Sequence, residues 1–112
     1  MKRASIVCLA FALSGAHGAE ITNETTVDLT VECRGRPNVD VLPRTSASVE
    51  LCYPLSLRLG QEAFMYKLGP KTRKLLKGAT TRVRVADDGA LYISGKGARE
   101  MRVAPARKVD LT

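Results

Sequence analysis

The chain has 112 residues, with 18 basic against 11 acidic side chains and a formal charge of +7. It contains one histidine, three cysteines and no tryptophan, and aromatic residues make up only 4%. That length leaves room for one modest core rather than two domains, and the inventory argues against a metal protein or a nucleic-acid binder built on stacked aromatics.

Lys2 and Arg3 precede an apolar run at residues 6–13, and Ser14-Gly15-Ala16-His17-Gly18 places Ala16 and Gly18 at the spacing a signal peptidase reads. The run is too short to cross a bilayer of about 30 Å as a helix. Together these parts predict a cleavable secretory signal over residues 1–18, cut before Ala19 or one residue later. Cys8 lies inside the apolar run without the Leu-small-small approach that lipidation needs, so no lipid anchor is expected. No second apolar segment of membrane length follows, and residues 19–112 are expected to form one soluble domain, periplasmic or secreted.

Cleavage removes Cys8 and the sole histidine, His17. Cys33 and Cys52 remain, and an even pair in a small exported domain predicts a disulfide. Its ring of about 20 residues is worth roughly 3 kcal/mol in the chain-entropy model. With neither histidine nor a free thiol left, no cofactor, metal or catalytic residue is expected; a hydrolase would have to use Asp, Glu or Lys as its acid or base.

Period-two alternation dominates the first half of this domain. Residues 26–33 put Val27, Leu29, Val31 and Cys33 on one face, and a turn over residues 34–38 follows. Val39 and Val41 begin a second short strand, residues 46–51 a third with Ala47, Val49 and Leu51 facing in, and Leu55, Leu57 and Leu59 a fourth. Cys33 is in phase with its apolar face and Cys52 with a polar one, so a bulge or strand end must reset the phase near Pro54. Residues 63–68 fit a strand or a short helical turn; Gly69-Pro70-Lys71 reads as a loop, and residues 72–78 lean to strand. Residues 80–85 alternate clearly, Asp87-Asp88-Gly89 is a hairpin turn, residues 90–94 return, and Gly95-Lys96-Gly97 turns again. Residues 101–104 make a last strand and 105–112 a loose tail. Seven or eight short strands with no convincing helix predict an all-β fold, a small antiparallel β-sandwich or barrel.

Charge divides the domain unevenly. Residues 19–62 hold four basic and seven acidic side chains, residues 63–112 twelve and four. Between Glu62 and Asp87 lie Lys67, Lys71, Arg73, Lys74, Lys77, Arg82 and Arg84 with no acid among them. Such a cluster docks an anionic partner by long-range steering, or it only keeps a strand face solvated and its edges unpaired.

Three other patterns carry no chemistry. Residues 89–97 contain Gly-Lys-Gly after an earlier glycine, but the spacing is one residue too long for a phosphate loop, and Gly97 stands where Ser or Thr must be. Asp87 and Asp88 are explained by the turn, since adjacent turn carboxylates point apart. Asn23-Glu24-Thr25 matches a glycosylation acceptor that chance supplies easily.

The expected function is therefore non-catalytic binding, as an accessory subunit of a bacterial envelope or secretion assembly. Its partner is a protein or an anionic envelope polymer, met through the seven basic residues, and nucleic acid is not expected. Two alternatives remain open. One is an inhibitor or immunity protein of a secreted enzyme, plugging a cleft with the cationic loop at residues 69–74. The other is a structural subunit that assembles by strand addition.

Overall fold

Alternating apolar and polar residues build ten strands and one short helix in a computed structural model that describes residues 19–77, 80–95, 97 and 99–111. The expected signal segment, with Cys8 and His17, lies outside the described residues, as does Lys96. The strands are β1 (Ala19–Asn23), β2 (Leu29–Glu32), β3 (Val39–Val41), β4 (Ser46–Val49), β5 (Leu55–Leu59) and β6 (Glu62–Tyr66). After helix α1 (Pro70–Leu76) come β7 (Arg82–Val85), β8 (Leu91–Ser94), β9 (Met101–Val103) and β10 (Arg107–Asp110).

They form two five-stranded sheets, ordered β4-β1-β7-β8-β9 and β10-β6-β5-β2-β3. The inward positions of the first sheet are Ile21, Val49, Val83, Val85, Leu91 and Ile93; those of the second include Leu29, Val31, Leu55, Leu57, Phe64 and Tyr66. All are buried, so the two faces close on one another as a sandwich, with Phe64 the largest fully buried side chain. Gly89 in the β7–β8 turn has φ +83°, and a Cβ there would lie 2.5 Å from a ring carbon of Phe64. Only glycine fits between that turn and the core.

Pairing is antiparallel except between β1 and β7, which run parallel with Ile21 opposite Val83. The chain between them runs through β2, β3, β5 and β6 of the second sheet and β4 of the first, so the long connection that parallel strands require is supplied by other strands.

Several expected elements are corrected. β2 begins at Leu29, because the loop before it satisfies its own backbone: Thr25 Oγ1 accepts the Val27 N–H, and Asn23 Nδ2 donates to the Val27 carbonyl. These local bonds compete with the strand ladder and leave Val27 42% exposed instead of facing in. The expected loose tail contains β10, which pairs with β6 over four residues. Lys108 on that edge stands opposite Phe64 and meets Glu62 at 2.7 Å, an exposed edge charge that discourages further strand pairing.

The lean to strand at residues 72–78 is also overturned. Pro70 occupies the first helical turn, where its missing N–H costs nothing, and Lys, Arg and Leu continue as good helix formers. Thr72 and Leu76 are buried, Leu75 is half-buried, and Thr81 Oγ1 donates to the Leu75 carbonyl at the helix end. The segment expected as a loop at residues 69–74 is thus the cap and most of α1.

The disulfide joins Cys33 and Cys52 with a Cα–Cα distance of 5.7 Å. β4 ends at Val49, and Cys52 lies in an irregular segment that includes a cis Tyr53-Pro54 bond. The strand end resets the side-chain phase, which resolves the mismatch visible in the sequence.

Candidate functional site, a basic helix beside an apolar cleft

At about 100° per residue, Thr72, Leu75 and Leu76 fall on one side of α1 and Lys71, Arg73, Lys74 and Lys77 on the other. The first set packs into the domain, and all four cations are exposed. Lys71 and Lys74 are three residues apart and Arg73 and Lys77 four, so like charges neighbour one another on one helix face. The first turn carries no acid to match the helix dipole. The cations of the last turn, Arg73 and Lys74, suit the dipole, but their like-charge neighbours repel one another.

Ion pairing separates the seven candidate cations into two groups. Arg84 contacts Glu24 and Glu100 at 2.8 Å each and lies over the Tyr92 ring at 4.9 Å. Arg82 reaches Glu20 at 3.5 Å. These two belong to the outer face of the first sheet, where Glu20 and Thr22 of β1 lie opposite them. The guanidinium of Arg84 is held charged, its pKa raised chiefly by the hydrogen bond to Glu100. Arg36, Arg58, Arg102 and Lys108 likewise have carboxylate partners. Among the described residues, Lys67, Lys71, Arg73, Lys74 and Lys77 have none, and neither do Arg34, Arg44, Arg99 and Arg107, which are scattered over other loops and strands.

Beside α1 lies an open cleft of about 400 Å³, lined by Tyr53, Met65, Lys67, Leu68, Arg73 and Ala106 among others. Tyr53 and Met65 are two of the few large apolar side chains left well exposed, at 37% and 41%. The Arg73 guanidinium stands 5.7 Å from the Tyr53 ring centre, within cation–π range. Burial raises the Tyr53 hydroxyl pKa, and the charge of Arg73 opposes that rise. Tyr53 also lines a depression toward Leu51, Leu76 and Lys77, and another toward the disulfide. It is the side chain that all three hollows share.

Sequence reasoning marked the cations and missed Tyr53, Met65, Leu68 and Ala106. Tyr53-Pro54 reads in the sequence only as the end of a strand. An aromatic beside proline, just past a disulfide cysteine in irregular chain, was the available signal.

The remaining motifs keep structural roles. The Asp88 carboxylate accepts the Ala90 N–H at 2.9 Å and pairs with Arg102, so it shapes the turn. Asn23 is fully buried, and its amide donates to the Val27 and Val41 carbonyls, so the folded acceptor triplet is closed to glycosylation. No group of three or more His, Cys, Asp or Glu side chains able to hold a metal occurs among the described residues. No described helix is long and apolar enough to cross a membrane. Comparison with protein-family models, with curated proteins and with solved structures finds no match to this chain.

Proposed function

We propose that the protein is an exported, non-catalytic binding protein that docks an anionic partner through the basic face of α1, as an accessory subunit of a bacterial envelope or secretion assembly. One observation carries this reading: Lys67, Lys71, Arg73, Lys74 and Lys77 crowd on and beside one short helix with no carboxylate partner. A face meant only for solubility gains nothing from concentrating unneutralised charge on one short helix. Export is supported by the sequence of residues 1–18 and by a disulfide, which persists in oxidising compartments.

The test is retention of a partner from envelope extract on the immobilised domain at low and high salt. One partner held at low salt, released at high salt and lost from the Lys71→Glu/Arg73→Glu/Lys74→Glu variant is the expected result. The Arg82→Glu/Arg84→Glu variant is expected to retain it. A triple variant that binds unchanged, with unchanged salt dependence, removes the basic face from function.

A second reading, assembly by strand addition, is favoured by β4. It is the one edge strand whose residues, Ser46 to Val49, include no charge; β3 has Asp40, β9 has Arg102, and β10 has Arg107 and Lys108. Concentration-dependent oligomers abolished by Ala47→Lys are its expected sign, and a monomer up to hundreds of micromolar excludes it.

A further inference from the structure

The cleft beside α1 combines properties that the basic face alone does not have. Its wall is apolar at Tyr53, Met65, Leu68 and Ala106, and its charged lining is cationic, Lys67 and Arg73, with no carboxylate. A surface that only repels copies of itself does not need two large exposed apolar side chains beside its cations. Tyrosine, methionine and arginine are the residue types enriched at the centres of protein interfaces.

We propose that this cleft receives an apolar side chain, aromatic or large aliphatic, presented by an acidic segment of a protein partner; this rests on the docking function of the basic face. The carboxylates of that segment meet Lys67, Arg73 and the exposed face of α1, and its apolar residue covers Tyr53 and Met65. The cleft volume, about 400 Å³, suits one bulky side chain and its neighbours. Arg73 over Tyr53 presents a paired, partly ordered anchor, so less freedom is lost on binding.

Two features separate this occupant from others. A bilayer surface is engaged by a helix that keeps an apolar face free, whereas α1 spends Thr72 and Leu76 on the core. The other well-exposed apolar residues, Val27, Leu42 and Leu111, line none of the three hollows that Tyr53 shares, so no broad apolar patch surrounds the helix. Strand addition at this point is blocked on the Met65 carbonyl, which already accepts the Ala106 N–H at 2.8 Å. Recognition here is made by side chains.

The experiment uses two labelled synthetic peptides rich in Glu and Ser, one with a central Phe and one with Ala in its place, titrated against residues 19–112 at low salt. The Phe peptide is expected to bind at least about tenfold more tightly, the gain from burying one aromatic side chain. Met65→Ser, and Ala106→Phe to fill the cleft from an exposed position, are expected to erase that difference and leave the Ala peptide unaffected. Lys71→Glu/Lys74→Glu is expected to weaken both peptides equally. Thermal melts confirm that each variant is folded.

Equal binding of the two peptides, still lost in Lys71→Glu/Lys74→Glu, overturns the cleft proposal and leaves basic docking intact. Failure of both peptides, with or without binding to phosphatidylglycerol vesicles, overturns the acidic protein segment as the occupant. Failure of both peptides and of the vesicles also removes support from the docking function itself.

Discussion

Asn23 ends β1 with a polar side chain where an apolar one is the ordinary choice, and every polar atom of that amide is used. Its Nδ2 donates to two carbonyls, at Val27 and Val41, while its Oδ1 accepts both the N–H and the hydroxyl of Thr25. One side chain thereby fastens the loop before β2 to the end of β3. Asn23→Ala leaves these groups buried and unpaired and is expected to cost about 3 kcal/mol in urea denaturation. Tyr66 plays a similar part, its hydroxyl donating to the Gly89 carbonyl. Burial, aided by the charge of Asp88, raises its pKa well above the usual 10.0. The folded state therefore holds a proton that the unfolded chain releases, so stability is kept below pH 10 and falls as pH rises beyond it. Tyr66→Phe is expected to lose about 1 kcal/mol at neutral pH and to flatten that alkaline decline, read from melts between pH 8 and 11. Neither role is legible in the sequence. Asn23 looks like a loop residue because hydrophobic patterning does not register a polar side chain that is buried and fully satisfied.

Among the elements, α1 most changes the functional reading. The sequence shows seven cations between residues 67 and 84, but not that five lie on or beside one helix, two of them lining a cleft, while a strand hands the other two to carboxylates. Leu75-Leu76 is compatible with either element type, and Pro70 beside Gly69 marks a loop as readily as the first turn of a helix. β10 escaped notice because an edge strand with Val109 as its only apolar residue has no alternation to detect. The strands β4, β5, β7 and β8 were legible because each is half-buried and alternates cleanly. The basic face of α1 also leads to a prediction about function against stability. Lys71→Glu puts an acid in the first helical turn and relieves repulsion with Lys74, so it is expected to raise stability by about 0.5 kcal/mol while weakening partner binding. A variant that is both less stable and less able to bind would refute this opposition.

For the molecule as a whole, the disulfide links the end of β2 to the segment that carries Tyr53. Removing it in Cys33→Ala/Cys52→Ala is expected to cost roughly 3 kcal/mol, since the bridged residues are 19 apart. Because Tyr53 and Pro54 follow Cys52 directly, the same variant is expected to weaken the Phe peptide more than the Ala peptide. The sandwich itself was legible from the strand spacing, and antiparallel pairing from connections too short for crossover helices. The pairing order was not, because nothing local encodes which strand lies beside β1.

That pairing has a temporal consequence. β1 lies between β4 and β7, and its parallel neighbour is about sixty residues downstream, with Glu20 opposite Arg82. The loop closure entropy for this contact must be met before the contact rewards it, which places the domain among slower-folding, non-local topologies. Until residues 82–85 are present, Ala19 to Asn23 has β4 alone to hold it, and the first sheet lacks its middle. A fragment ending at Lys77 is expected to show no cooperative unfolding. By the same reasoning the domain is expected to assemble only once most of its length is available.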